Sequence, residues 1–458
     1  MITQPVIKKL SQILGERNIL TDIKDLIPYS HDATNQQYTP DVVVFPKSAQ
    51  EISRILKIAN EEHFPVVPRG AGSGMSGGAL AISGGLVMAM NRLNRILLID
   101  EDNLIAKVEP GVVTAHLQEE VEKYGLFYPP DPASLDESTI GGNVAECAGG
   151  PRALKYGVTR DYVIGLKVVL PTGEILATGV ETAKGVVGYD LTRLLVGSEG
   201  TLAVITEIII RLIPKPEMKK TMLLTFSDVA TASRFVSAII KEKIIPTTIE
   251  FMDSVSVECV RDQLPFRLSE SESAILLIEL DGDPFQIDKD TGKIKLLCAQ
   301  MEISGFRLAE DKKEAEDLWQ ARRNLSPSLI ALKPHKINYD LVVPRSRLAE
   351  FVMALSDVGR KHNLLIPSFG HAGDGNIHVN IMFDRDNKDE AKRANQALRQ
   401  ILKLTLELKG TISGEHGIGI SKKAHIGMEI APTGLELMRR IKNAFDPNGI
   451  LNPGKIFP

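Results

Sequence analysis

The hydrophobic positions of this chain change period several times, and each change marks an element. Val6, Leu10, Ile13 and Leu14 recur at helical spacing on a polar background. That predicts an amphipathic helix, not the apolar block of a signal peptide. Asp41 to Phe45 reads as a short buried strand closed by Pro46. Ser48-Ala49-Gln50-Glu51 then forms a capping box, and Ile52, Ile55, Leu56 and Ala59 share one face of the helix behind it. Pro65 to Pro68 is a second short strand. Strand, helix, strand is the start of an α/β unit.

Arg69-Gly70-Ala71-Gly72-Ser73-Gly74-Met75-Ser76-Gly77-Gly78 comes next, and Gly72, Gly74 and Gly77 match G-x-G-x-x-G. The dinucleotide fingerprint needs a helix behind the glycines, so that its N-terminus meets the pyrophosphate. Here Ala79 to Ser83 runs into Gly84-Gly85, which is hostile to a helix, and Leu86 to Met90 reads as strand. A doubly wound nicotinamide site is therefore disfavoured. A loop of bare glycine amides between two strands still makes an anion-binding concavity.

Strand-like, glycine-rich segments continue to about Ile213, where Pro214-Lys215-Pro216 punctuates the chain. Beyond it glycine thins, and strands such as Ala274 to Leu280 alternate with charged helices such as Ala309 to Asn324. The stretch from Gly410 is again glycine-rich. This predicts domains at residues 1–215, 216–405 and 406–458. No internal repeat is evident.

Composition narrows the classes. A net charge of -4 over 458 residues, with Lys and Arg dispersed, gives no basic field for nucleic acid and no strong membrane attraction. Cys147, Cys259 and Cys298 are too few and too far apart for a disulfide scaffold or a four-thiolate cluster. No apolar run approaches the ~20 residues a bilayer span needs. The expected setting is cytoplasmic, peripheral to a membrane only through a partner.

Several motifs in order resemble the FAD domain of the vanillyl-alcohol-oxidase type. They are Pro68-Arg69-Gly70-Ala71-Gly72-Ser73, Pro129-Pro130-Asp131-Pro132, Ser138-Thr139-Ile140-Gly141-Gly142-Asn143, Lys155-Tyr156-Gly157, Gly197-Ser198-Glu199-Gly200 and the terminal Asn452-Pro453-Gly454-Lys455. Within that type the chain is most similar to the FAD subunit of glycolate oxidase and the bacterial D-lactate dehydrogenases. The resemblance implies an α+β fold: a two-subdomain FAD domain, an α/β cap domain and a C-terminal return. It implies FAD with its pyrophosphate on the loop of Pro68, Arg69, Gly70, Ala71, Gly72, Ser73, Gly74, Ser76 and Gly77. Asp131, Pro132, Ser138, Thr139, Gly141 and Gly142 would meet the flavin half, and Ala145, Gly149, Tyr156 and Gly157 would be further cofactor contacts. Glu199, Gly200 and Ile205 would meet the adenine half, and Asn452 would reach in from the return. No histidine lies between His63 and His116, where some relatives attach FAD covalently, so non-covalent FAD is expected.

Three of the nine histidines sit in Gly370-His371-Ala372-Gly373-Asp374-Gly375-Asn376-Ile377-His378 and Gly414-Glu415-His416-Gly417. If a strand starts at Asn376, then Asn376, His378 and Asn380 share one face, with His371 approaching from the glycine loop. Two imidazoles and one carboxylate can hold a divalent metal, and Zn, Mn and Fe(II) suit the set about equally. The resemblance places that metal on His371, His378 and Glu415, makes His416 the base, and gives Arg322 the substrate carboxylate. Asn376 and Asn338 would also face the substrate. The metal lowers the hydroxyl pKa, histidine takes the proton, and the C2 hydride passes to flavin.

The reading is a dehydrogenase of small D-2-hydroxy acids, D-lactate or glycolate. Relatives that act on 2-hydroxyglutarate carry a lysine before Tyr-Asp, where this chain has Asn338, although Lys336 lies on the same strand face. A 2-hydroxyglutarate dehydrogenase, or a non-redox enzyme of the alkyl-glycerone-phosphate synthase type, is the alternative. Electrons would leave through a partner: an iron–sulfur subunit, an electron-transfer flavoprotein, a cytochrome or quinone.

Overall fold

A computed structural model describes residues 2–301 and 303–458. It divides into two compact units. One comprises residues up to 149, 158–215 and 415–458; the other comprises 150–157 and 216–414.

The first unit opens with the helix Gln4–Leu14, whose Val6, Leu10 and Leu14 are buried. The strands Val42–Val44 and Val66–Arg69 both lie parallel to Leu86–Ala89. Ala49–Glu62 is the crossover helix, and the Ser48 side chain accepts from the Glu51 amide at its start. Ile52, Ile55, Leu56 and Ala59 are buried in one core with Val42, Val44, Val66 and Leu86. A parallel pair needs such a crossover, and covering it makes each strand a run of apolar residues. The C-terminal return adds to this sheet: Asn452 donates its amide to Val66 at 2.8 Å, and Val66 donates to Ile450 at 2.8 Å. Between Arg69 and Leu86 there are turns and no helix. The glycine series is thus a loop joining parallel strands. A five-stranded sheet, entirely antiparallel in its pairings, is built on Ile105–Val108, Val204–Arg211 and Val163–Val169.

The second unit carries a seven-stranded antiparallel sheet. Its order is Gly305–Leu308, Met218–Phe226, Ala274–Gly282, Thr248–Met252, Ser368–His371, Asn376–Phe383, His335–Val342. Residues 274–280 are buried at every position, as expected of a strand covered on both faces. Lys312–Ser328 is one helix that continues through Pro327, where the sequence suggests a break. Residues 150–157 belong here, not to an unbroken 1–215 segment. Lys155 and Tyr156 bond to Asp281 at 2.5 and 2.9 Å, and Thr248 bonds to the Pro151 carbonyl. The unit runs on past 405 to Gly414, because Thr411 bridges to Val342 at the sheet edge.

Among the described residues no helix is long and apolar enough to cross a membrane. The second unit's core gives a stability prediction. Phe235 is fully buried, and its ring lies 5.5 Å from that of Phe226. Phe235→Ala should cost about 3–5 kcal/mol, the usual toll of an unfilled aromatic site. Denaturant unfolding followed by fluorescence checks it; a change below about 1 kcal/mol would show that the site collapses.

Candidate active site

The first unit contains an open cleft. Its floor is the glycine loop, and Pro68, Arg69, Gly70, Ala71, Gly72, Ser73 and Gly74 all line it. Gly72 has φ +79°, and a Cβ there would overlap the Arg69 guanidinium, so this turn excludes other residues. Arg69 is buried and donates to the His31 carbonyl at 2.8 Å. Its charge therefore braces the loop. Burial pulls its pKa down, opposed by the nearby Asp32 carboxylate.

Another part of the lining comes from the motif at residues 138–143. The structure makes it a helix, Ile140–Glu146, capped by Thr139, whose side chain accepts from the Gly142 amide. Gly141 packs so closely on Pro110 that a Cβ would come within 2.9 Å of its carbonyl. Pro132, Ser138, Thr139, Gly141, Gly142, Ala145, Gly149, Glu199, Gly200 and Ile205 line the cleft, and so do Glu415 and His416.

Other expected contacts stand behind this lining. The Ser76 carbonyl receives the amides of Ile420 and Ser421, and Gly77, φ +81°, turns against Ile420. Asp131 is buried next to Pro132. Asn452 donates to the carbonyls of Gly78 and Glu199 at 2.9 and 2.8 Å, tying two walls together. Tyr156 and Gly157 lie in the second unit, with the Tyr156 hydroxyl on Asp281.

Glu199 spends its carboxylate on protein. It accepts from the amides of Ile418 and Gly419 at 2.8 and 2.6 Å, just downstream of Glu415 and His416. The His416 Nε2 lies 4.0 Å from Glu415 Oε1. Glu146, which no motif singles out, also lines the cleft. Its Oε2 is enclosed with no hydrogen-bond partner. Burial first, then the neighbouring Glu199, pushes this carboxyl well above the usual carboxylate range. A lone acid in an alanine- and glycine-rich segment is the only sign of it in the sequence.

In the second unit, Asn376–Phe383 is a strand, so Asn376, His378 and Asn380 do share a face. His371 is the last residue of the strand Ser368–His371 and not part of the glycine loop. Cross-strand register collects the polar groups: Glu250 pairs with His371, His371 with Asn376, His378 with Asp340, and Asn380 with Asn338. The two imidazoles stand edge to face with centroids 5.1 Å apart. Asn338 donates to Asn380 at 2.7 Å, and the Oδ1 atoms of Asn338 and Asn376 are buried without partners. The helix Lys312–Ser328 covers this face and lays Arg322 over the Phe369 ring, 4.8 Å from its centroid. Arg323 pairs with Glu316 at the surface.

Glu250 was not expected from sequence. It is wholly buried and bonds Arg322 through Oε2 at 2.6 Å and His371 through Oε1 at 2.5 Å. Burial alone would raise its carboxyl, but the His371 and Arg322 charges hold it at about 2. The signal was available: a carboxylate inside Thr-Ile-Glu-Phe-Met must find a partner, since an isolated buried charge is too costly.

Known proteins share this architecture. The FAD binding domain model matches residues 40–179, and the model for the C-terminal domain of FAD linked oxidases matches 215–456. Glycolate oxidase subunit GlcD of Bacillus subtilis is 48% identical over 100% of this chain and 97% of its own length. D-lactate dehydrogenase of Anaerostipes hadrus is 34% identical over 99% of this chain and 98% of its own. The structure of p-cresol methylhydroxylase with substrate bound superposes with TM-score 0.81 at 19% identity, covering 99% of this chain and 97% of that one. The fold is the vanillyl-alcohol-oxidase type of FAD protein, as the motif series implies. With a family model on each side of residue 200 and relatives matching end to end, the chain belongs to the FAD-linked oxidases.

Proposed function

We propose that this protein oxidises a small D-2-hydroxy acid, D-lactate or glycolate, to the 2-oxo acid. The observation that carries the proposal is the sheet face that sets an arginine and two imidazoles around one buried carboxylate. The names of the relatives agree with it.

The first unit's residues fit FAD. A cleft lined by the glycine loop suits a pyrophosphate, since bare amides make an anion-binding concavity, and the orphaned Glu146 Oε2 suits a ligand group inside it. The donor chemistry of His371, His378 and Glu415, two imidazole nitrogens and a carboxylate oxygen, fits one Zn, Mn or Fe ion. Glu415 lies one peptide bond beyond Gly414, whose amide donates to the Asp340 carboxylate at 2.8 Å, and Asp340 is the register partner of His378. When bound, FAD supplies the hydride acceptor and the cation makes the substrate hydroxyl more acidic. Arg322 grips the substrate carboxylate, for which its planar fork is suited. His416 takes the hydroxyl proton at a ring nitrogen. Asn376 and Asn338 orient the substrate through their amides. Electrons leave to a partner: an iron–sulfur subunit, an electron-transfer flavoprotein, a cytochrome or quinone.

The direct test is anaerobic. The yellow protein should bleach on adding D-lactate or glycolate; a flavin that stays oxidised with every 2-hydroxy acid tried refutes the activity.

The FAD is held without a covalent bond. No cysteine lines the cleft, and burial raises the Cys147 thiol, leaving little reactive thiolate. Acid should release about one FAD per chain into the supernatant. Flavin remaining on the denatured polypeptide would contradict this.

Substrate size follows from the strand His335–Val342. Lys336 donates to the Ser326 carbonyl and hydroxyl at 3.1 and 2.8 Å, so its cation is occupied. Position 338 offers a neutral amide. A distal carboxylate buried here lacks a counter-charge, at a cost of a few kcal/mol. We expect kcat/KM for D-lactate and glycolate at least about tenfold above that for D-2-hydroxyglutarate. A preference for the five-carbon diacid would mean that Lys336 turns to the substrate.

A further inference from the structure

We propose that Glu250 is a positioning residue that couples the substrate-binding cation to a metal ligand, one carboxylate oxygen serving each. The proposal rests on the reading of His371 and Arg322 above.

Its geometry is specific. Glu250 sits in the strand Thr248–Met252, directly opposite His371 in register, so backbone pairing alone brings the two side chains to one face. Oε1 lies 2.5 Å from His371 Nδ1, and Oε2 accepts from Arg322 Nε at 2.7 Å, with Nη2 2.6 Å away in the ion pair. A carboxylate only accepts, so His371 must carry a proton on Nδ1. In the neutral ring, the form a cation binds, the lone pair then belongs to Nε2, which makes Nε2 the nitrogen that can ligate. An anionic acceptor on Nδ1–H also makes the imidazole a stronger donor and fixes the ring's orientation, as such partners do for metal-bound histidine.

The same carboxylate aims Arg322. Its Nε–H is spent on Oε2, Nη2 is held in the same ion pair, and the guanidinium carbon lies over the Phe369 ring. The direction of the remaining N–H groups is thereby set before any substrate arrives. Such preorganisation removes the ordering cost of a long side chain at binding. An isolated Arg–His–Glu cluster is a costly thing to bury for stability alone. Its placement between the two groups that need aiming gives it a purpose.

The test uses the full-length flavoprotein and Glu250→Gln. Glutamine keeps the shape, but its NH₂ can face His371 only if the ring moves its proton to Nε2, so the bridge cannot be rebuilt with the lone pair on Nε2. Apo protein titrated with Zn²⁺ against a chelator should bind about 10–100-fold more weakly than wild type. KM for D-lactate should also rise, with FAD content unchanged. If Glu250 is only a structural ion pair, Glu250→Gln melts earlier, while the folded protein keeps wild-type Zn²⁺ affinity and KM; that result overturns the proposal. His378→Ala is the reference. Zn²⁺ affinity lost in His378→Ala but kept in Glu250→Gln defeats the role of Glu250 and leaves the metal site standing. Affinity kept in both defeats the metal reading itself, and this proposal with it. A second readout does not use a Glu250 variant. Histidine ¹⁵N shifts in the wild-type protein, with His371 assigned by difference, should report the Nδ1–H tautomer, and an Nε2–H tautomer would refute the coupling.

Discussion

His378→Ala should leave the protein yellow and bring turnover down by at least about 10³-fold, roughly 4 kcal/mol of barrier. The two halves of that result come from different parts of the chain. His378 belongs to the second unit, third in the strand Asn376–Phe383, whereas the glycine-lined cleft is built in the first. Losing an imidazole from the sheet face therefore removes a donor that the proposed cation needs, without touching the loop that suits a pyrophosphate. The strand itself should persist, since it is hydrogen-bonded on both sides, to Ser368–His371 and His335–Val342. Absorbance gives the FAD-to-protein ratio, and steady-state rates with an artificial acceptor give the loss. A variant with full activity and no bound metal would remove the cation from the mechanism.

His416→Ala should lower the rate by about 10²–10⁴-fold, the usual worth of a placed proton acceptor, with metal and flavin both retained. His416 lines the cleft, and the chain directly after it is pinned where Glu199 accepts the amides of Ile418 and Gly419. Those bonds are to backbone, so the alanine variant keeps the loop in place and deletes only the ring. The informative comparison is with Glu415→Gln. If metal content collapses in His416→Ala and survives in Glu415→Gln, the two neighbours have exchanged roles.

Local pattern determined a good deal of this protein. The spacing of Ile52, Ile55, Leu56 and Ala59 behind Ser48 specified a capped crossover helix, because amphipathic period and cap chemistry act within a few turns of chain. Gly84-Gly85 ruled out a helix after the glycine series for an equally local reason. Alternation from Asn376 put His378 and Asn380 on one face, since side chains of a strand repeat every two residues. What tertiary structure alone decided is who meets whom. Arg322 is legible as a residue fit for a carboxylate, but its partner Glu250 lies 72 positions away and is brought to it by strand order and helix packing. Residues 150–157 leave the first unit for the second because of bonds to Asp281 and Thr248, which no window of sequence contains. Asn452 and Glu199 turn out to brace walls of the cleft. A buried polar group must be satisfied, and the sequence shows that need; only the assembled sheet supplies the atom that meets it.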